Sequence, residues 1–216
     1  MRFFSTIALI ATGIVSVLAE NWVLVWSDEF NGSGVDRNKW HYEIGAGGWG
    51  NNELEYYTDR AQNSYIENGN LVIQANREWY GGAEYTSARM TTQGKFSIQY
   101  GKFEMRAKLP RGQGIWPAFW LLGDNIGQVG WPACGEIDIM EWIGRDPGHI
   151  SGSLHAPSFD RTGGFNGGGF SDGYHTYAAN WQPDRVEFYV DGQNYATYYK
   201  SESGGHWPFE GKNFFI

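Results

Sequence analysis

The chain reads as an all-β protein of two packed antiparallel sheets, and three observations lead there. Apolar and polar residues alternate with period two in several segments, as in a strand with one buried face. Tight-turn dipeptides punctuate the chain, Asn68-Gly69 and Asp191-Gly192 being the clearest. After position 19, no stretch of eleven residues carries a 3.6-residue apolar period. At 216 residues the chain suits a single sandwich domain.

The elements follow in order. Met1-Arg2-Phe3-Phe4 supplies a positive start, an apolar run continues to Leu18, and Val17-Leu18-Ala19 ends in small residues. That is the pattern of a secretory signal peptide cut after Ala19, and it is short for a spanning helix. The expectation is a secreted, extracellular domain over 20–216. Trp22–Trp26 reads as an opening strand, and Leu71–Ala75 as a strand leaving the Asn68-Gly69-Asn70 turn. Gly94–Pro110 reads as two strand-like halves. In the second, Phe103, Met105, Ala107 and Leu109 alternate with Lys102, Glu104, Arg106 and Lys108. Arg185–Val190 alternates likewise, and Asp191-Gly192 folds it onto Tyr195–Tyr199 as a hairpin. Gly163–Gly169 reads as a flexible loop. The chain stops at Asn213-Phe214-Phe215-Ile216, a strand-like apolar run, so one or more further strands are expected beyond it. No repeat or linker divides 20–216.

Charge narrows the partner. The formal net charge is −8 and there is no basic block, which argues against nucleic acid and anionic membranes. Sulfated or uronic polymers would also be repelled, and a neutral ligand fits best. Aromatics reach 17%, with 11 Trp, enough to fill a core and still present rings to a flat apolar face. Cys134 is alone, fits no disulfide framework and reads as a small buried hydrophobe. Asn31-Gly32-Ser33 is a glycosylation sequon. A monomer is expected.

The chemistry concentrates in Glu136-Ile137-Asp138-Ile139-Met140-Glu141. Acids are disfavoured inside strands and costly to bury, so three among Ile, Met and Trp need a reason. In a regular strand Glu136 and Asp138 share a face and Glu141 points away. One extra residue, a bulge near Ile139 or Met140, would bring Glu141 round. The two glutamate carboxyl groups would then lie about 5–6 Å apart, the spacing of a retaining glycosidase rather than an inverting one. Two other readings stay open at this point, a site for a hard cation such as calcium and a solvated strand face. Apolar alternation speaks against the second. Sugar rings are bound by stacking on aromatic faces, and Gly114-Ile115-Trp116-Pro117-Ala118-Phe119-Trp120 and Trp131-Pro132 precede the acids.

These residues resemble glycoside hydrolase family 16. Glu-Ile-Asp-Ile-Met-Glu is similar to its catalytic signature in the six-residue, bulged form found in laminarinase-like endo-β-1,3-glucanases. The resemblance extends to Trp26–Phe30, Asn51–Thr58, Tyr85–Arg89, His155 and Tyr174–Tyr177. It implies a β-jelly roll, two antiparallel sheets with the concave one lining an open cleft. It also implies an enzyme that cleaves β-1,3-glucan, with Glu136 as nucleophile, Glu141 as acid/base and Asp138 assisting the nucleophile. Trp116 and Trp131 match cleft-wall rings, while Asn52, Arg89 and His155 match hydroxyl-binding residues. Trp120 reads rather as core, and His41, His149, His175 and His206 as structural or exposed. No cofactor is required for catalysis. A structural calcium, held in many members near the C-terminus, is left open. The alternatives are β-1,3(4)-glucan specificity in the same family and a non-catalytic β-glucan recognition protein, which typically loses the acids retained here.

Overall fold

A computed structural model describes residues 22–216, so the expected signal peptide over 1–19 lies outside the described residues. In chain order the strands are β1 (His41–Glu43), β2 (Glu55–Tyr57), β3 (Ser64–Glu67), β4 (Asn70–Ile73), β5 (Asn76–Tyr80), β6 (Ala83–Ser87), β7 (Arg89–Thr91), β8 (Gly101–Ala107) and β9 (Ala118–Gly123). A short helix, α1 (Ile126–Val129), precedes β10 (Glu136–Trp142) and β11 (His149–His155). There follow β12 (Arg161–Asn166), β13 (His175–Trp181), β14 (Arg185–Val190), β15 (Gln193–Tyr199) and β16 (Phe214–Phe215).

Two antiparallel sheets make the jelly roll. One runs β12-β11-β10-β9-β16 and the other β15-β14-β13-β8. Period-two patterning decides which face each strand buries. Phe103 on β8 is buried while Lys102, Glu104 and Arg106 are exposed, and Val186, Phe188 and Val190 on β14 all point inward. The core forms where Leu121, Ile137, Ile139 and Leu154 of the first sheet meet Phe103, Trp181 and Phe188 of the second. Each such large side chain contributes about 1.5–3 kcal/mol through burial. Cys134 is fully buried, beside Leu122 and Phe215.

Both expected hairpin turns form. Asn68 (φ 51°) and Gly69 (φ 70°) join β3 to β4, and Asp191 (φ 49°) and Gly192 (φ 78°) join β14 to β15. Two successive positive φ values match the right-handed twist of the flanking strands.

The structure corrects three readings. Trp22–Trp26 forms no strand; Trp22 to Val25 are exposed, and Trp26 instead packs on Trp40 and Phe96 at centroid distances of 5.5 and 5.4 Å. An apolar run becomes a strand only where a neighbour completes its ladder, and among the described residues none lies beside it. The first half of Gly94–Pro110 is likewise no strand, its Ile98 making only an isolated bridge to Phe214. Gly163–Gly169 is not wholly a loop either. Gly163 and Gly164 lie inside β12, paired with Gly152 and Ser151. A Cβ on Gly163 would stand 2.5 Å from the Ala196 Cβ and 2.9 Å from the Tyr198 hydroxyl, so glycine here lets β15 of the other sheet come close. At the far edge, Phe214 and Phe215 pair with Gly123 and Leu122 of β9.

Candidate active site

The site is built on β10. Its register with β9 runs Asp138↔Trp120, then Met140↔Phe119, so two residues of β10 face one of β9. Against β11 it steps from Asp138↔Ser153 to Glu141↔Ser151. This is the expected bulge at Ile139-Met140. Its effect shows in burial: Ile137, Ile139, Met140 and Trp142 all lie at or below 1% exposure, the middle two consecutive in sequence. Glu136, Asp138 and Glu141 therefore project from the opposite face, away from the core.

Each acid has its own partners. Trp131 Nε1 donates to Glu136 Oε2, and Trp116 Nε1 donates to Glu141 Oε1 at 3.0 Å. The two rings stay 59% and 45% exposed, so one edge serves an acid while much of each face remains open to a ligand. Asp138, 5% exposed, faces His155, whose Nε2 lies 3.0 Å from its Oδ2. The other imidazole nitrogen, Nδ1, lies 3.2 Å from Asp160 Oδ1, and the Trp131 ring sits 5.9 Å from the imidazole. Ser153 Oγ is 3.0 Å from Thr162 Oγ1 on the same face.

Electrostatics follows from burial and crowding. Desolvation holds Glu141 above the ordinary carboxylate range, opposed by the Trp116 hydrogen bond and the His155 charge and reinforced by Glu136. Burial also pushes Asp138 up, with its hydrogen bond to His155 acting against this and the Glu136 and Glu141 charges adding to it. His155 is pushed up to about 9, chiefly by the hydrogen bond to Asp138 and against the effect of burial. Within the pair the imidazole is the natural seat of the proton. It is the more solvated partner, and there it faces two carboxylates at once. A carboxyl whose proton affinity is raised by burial, beside a second carboxyl on the same face, is the arrangement acid–nucleophile chemistry uses.

The remaining sequence-based candidates divide. Arg89 forms an ion pair with Glu43 and lies between Trp49 (5.0 Å) and Trp120 (4.6 Å). Trp120 is half-buried: it packs against the small buried cluster of Leu122, Cys134 and Phe215, as the sequence reading expected, and it also pairs with Asp138 on the acid-bearing face of β9. Its even spacing from Leu122 and Ala118 could have placed it, had the β9–β10 register been known. Asn52 lies in an exposed turn with φ 58°. His175 is structural, bonded to Asp191 at 2.7 Å and to the Gly169 carbonyl. His149 bonds Asn166, while His41 and His206 are exposed. Sequence reasoning missed Glu43 and Trp49, which lie far along the chain from Arg89, and Asp160, which is only five residues from His155 but meets it through the β11–β12 turn.

Among the described residues no group of three or more His, Cys, Asp or Glu converges as a metal-holding set. The acids are separated by indole donors and an imidazole, which suits carboxyl chemistry better than cation ligation. Two concavities elsewhere, about 570 Å³ beside Gln62, Tyr65 and Gln74 and about 320 Å³ beside Asp28 and Asp36, contain none of these acids.

Comparison with known proteins agrees with this geometry. Residues 50–215 match the family model described as glycosyl hydrolases family 16. A glucan endo-1,3-beta-glucosidase of Cryptopygus antarcticus is 45% identical over 217 residues, covering 90% of this chain and 78% of the relative. A beta-glucanase of Rhodothermus marinus is 43% identical, covering 89% and 73%. The crystal structure of the laminarinase catalytic domain of Thermotoga maritima MSB8 superposes with a TM-score of 0.86 at 48% identity, covering 91% of this chain and 85% of that one.

Proposed function

The chain belongs to glycosyl hydrolases family 16, and from that premise we propose that its acid-lined cleft performs the endo-hydrolysis of β-1,3-glucan with Glu136 and Glu141 as the working pair. The enzyme is a glycoside hydrolase acting on β-1,3-glucan with retention of configuration. Glu141 protonates the glycosidic oxygen as Glu136 attacks the anomeric carbon. A covalent glycosyl-enzyme forms and the shortened glucan leaves. Glu141, now a carboxylate, takes a proton from water, which attacks the same carbon and frees Glu136. The observation that carries this reading is the bulge at Ile139-Met140, which brings Glu141 onto the face of Glu136 and Asp138. Asp138 and His155 orient and tune the nucleophile's side of the cleft. Trp116 and Trp131 stack on sugar rings while fixing one acid each, and Arg89 and Asn52 bind hydroxyls further along the chain.

Secretion and action on extracellular glucan as a monomer are part of the same proposal, supported by the leader pattern over 1–19. In the described residues no helix is long and apolar enough to cross a membrane. The test is a reducing-sugar assay on laminarin, lichenan, agarose and κ-carrageenan. Laminarin is expected to be cut fastest. Lichenan cleaved at a comparable rate would favour the broader β-1,3(4) specificity, and silence on every glucan would favour a recognition protein. Agarose or carrageenan cut as fast as laminarin would overturn the assignment.

A further inference from the structure

His155 meets a carboxylate at each ring nitrogen, Asp138 at Nε2 and Asp160 at Nδ1. A neutral imidazole has one N–H and one lone pair, so it can satisfy only one carboxylate; the imidazolium satisfies both. From this bracketing we propose that Asp160 is a positioning residue of the cleft. It holds His155 as an imidazolium against Asp138 and thereby sets the upper end of the pH range in which the acid cluster works.

The groups facing His155 are few. From β10 come Asp138, Glu136 and Glu141. The turn between β11 and β12 supplies Asp160, and the chain before β10 supplies the uncharged Trp131 ring. The one cation nearby on β12, Arg161, is occupied elsewhere: its guanidinium lies 4.4 Å over the Phe159 ring and Nη1 donates to the Asp160 carbonyl at 2.9 Å. Carboxylates thus dominate the field at the imidazole, in keeping with the upward push on His155.

The catalytic consequence concerns protons. The working cluster keeps one proton on Glu141 and one on His155. The alkaline limb of activity marks the loss of the first of these. A carboxylate at Nδ1 makes that loss harder, so removing its charge must move the limb to lower pH. Asp160 is well suited to the test because its side chain is 70% exposed, and replacing it opens no cavity.

The activity readout rests on the glucanase reading; the second readout does not. In the full chain, Asp160→Asn, Asp160→Ala and Asp160→Glu would be compared by kcat/KM against pH on laminarin and by NMR titration of the His155 imidazole. For Asn and Ala, the titration and the alkaline limb are both expected to fall by about 0.5–1 unit, modest for a close charge because Asp160 is solvated. Glu should restore both. A His155 that titrates as wild type in the Asn and Ala variants would overturn the proposal without reference to any substrate. A shifted titration with an unmoved limb, or a loss of activity uniform across pH, would overturn the link to catalysis.

Discussion

The indole of Trp116 donates to the carboxylate of Glu141 at 3.0 Å, tying a ring on the cleft wall to the carboxyl proposed as the acid. A hydrogen bond to the charged form favours ionisation, so it opposes the burial that raises Glu141. Trp116→Phe keeps a stacking face and removes the donor. Glu141 should then hold its proton to higher pH, so the alkaline limb of kcat/KM, set by whichever of Glu141 and His155 loses its proton first, should hold or move upward. Activity at the optimum should drop about tenfold, the loss of one charge-assisted hydrogen bond worth roughly 1.5 kcal/mol. A pH–rate profile on laminarin reads both, and a limb that moves downward would contradict the role given to the indole.

The two glutamates should separate by azide rescue. In Glu136→Ala, azide can attack an activated aryl glucoside directly, one inversion giving the α-azide. In Glu141→Ala the covalent intermediate still forms from a good leaving group, and azide intercepts it to give the β-azide. Each variant should lose at least roughly 10³-fold on natural glucan, about 4 kcal/mol of transition-state stabilisation. NMR of the products checks the assignment; opposite anomers would exchange the roles.

The acid cluster should make the protein less stable in alkali. Asp138, Glu141 and His155 all bind protons more tightly in the folded state. Their contribution is complete below the unfolded pKa values and is lost as pH rises through the folded ones. For His155 that window runs from 6.5 to about 9; for the carboxyl groups it opens in the ordinary carboxylate range and extends upward. Tm should fall by about 2–6 °C between pH 6 and pH 9.5, an effect of roughly 1–2 kcal/mol. Asp138→Asn should flatten the slope. Scanning calorimetry at the two pH values decides it, and a Tm that climbs with pH would refute it.

Gly163→Val distinguishes a strand from a loop. A loop glycine would tolerate the change within about 0.5 kcal/mol. On β12 the new side chain meets Ala196 and Tyr198, so a loss of about 1–3 kcal/mol is expected from overpacking. Urea unfolding measures it, and an unchanged midpoint would show that β15 yields without cost.

Much of this molecule was legible because the signals were local. Alternation at Phe103–Leu109 and Val186–Val190 needs only a solvent side and an apolar side, and both came out as read. The bulge was legible for a rarer reason: three acids among core residues are tolerable only if all leave the apolar core by one face, and regular strand spacing prevents that without an extra residue. Trp22–Trp26 misled because apolar content says nothing about whether a ladder partner exists. Trp120 was legible in part: it packs on a buried cluster as read, while its place beside Asp138 depends on register with β10.

The residues themselves determined the class of fold, the turns, the acid pair and the need for a bulge between its members, since period, turn chemistry and the cost of burying charge act over a few neighbouring residues. Only the tertiary structure decided what surrounds each acid. Trp116 stands 25 positions from Glu141, and Glu43 stands 46 positions from Arg89. Asp160 reaches His155 only because the chain reverses between β11 and β12. Such pairings tune proton affinity through distance and solvent exclusion, quantities that exist only once two sheets have packed.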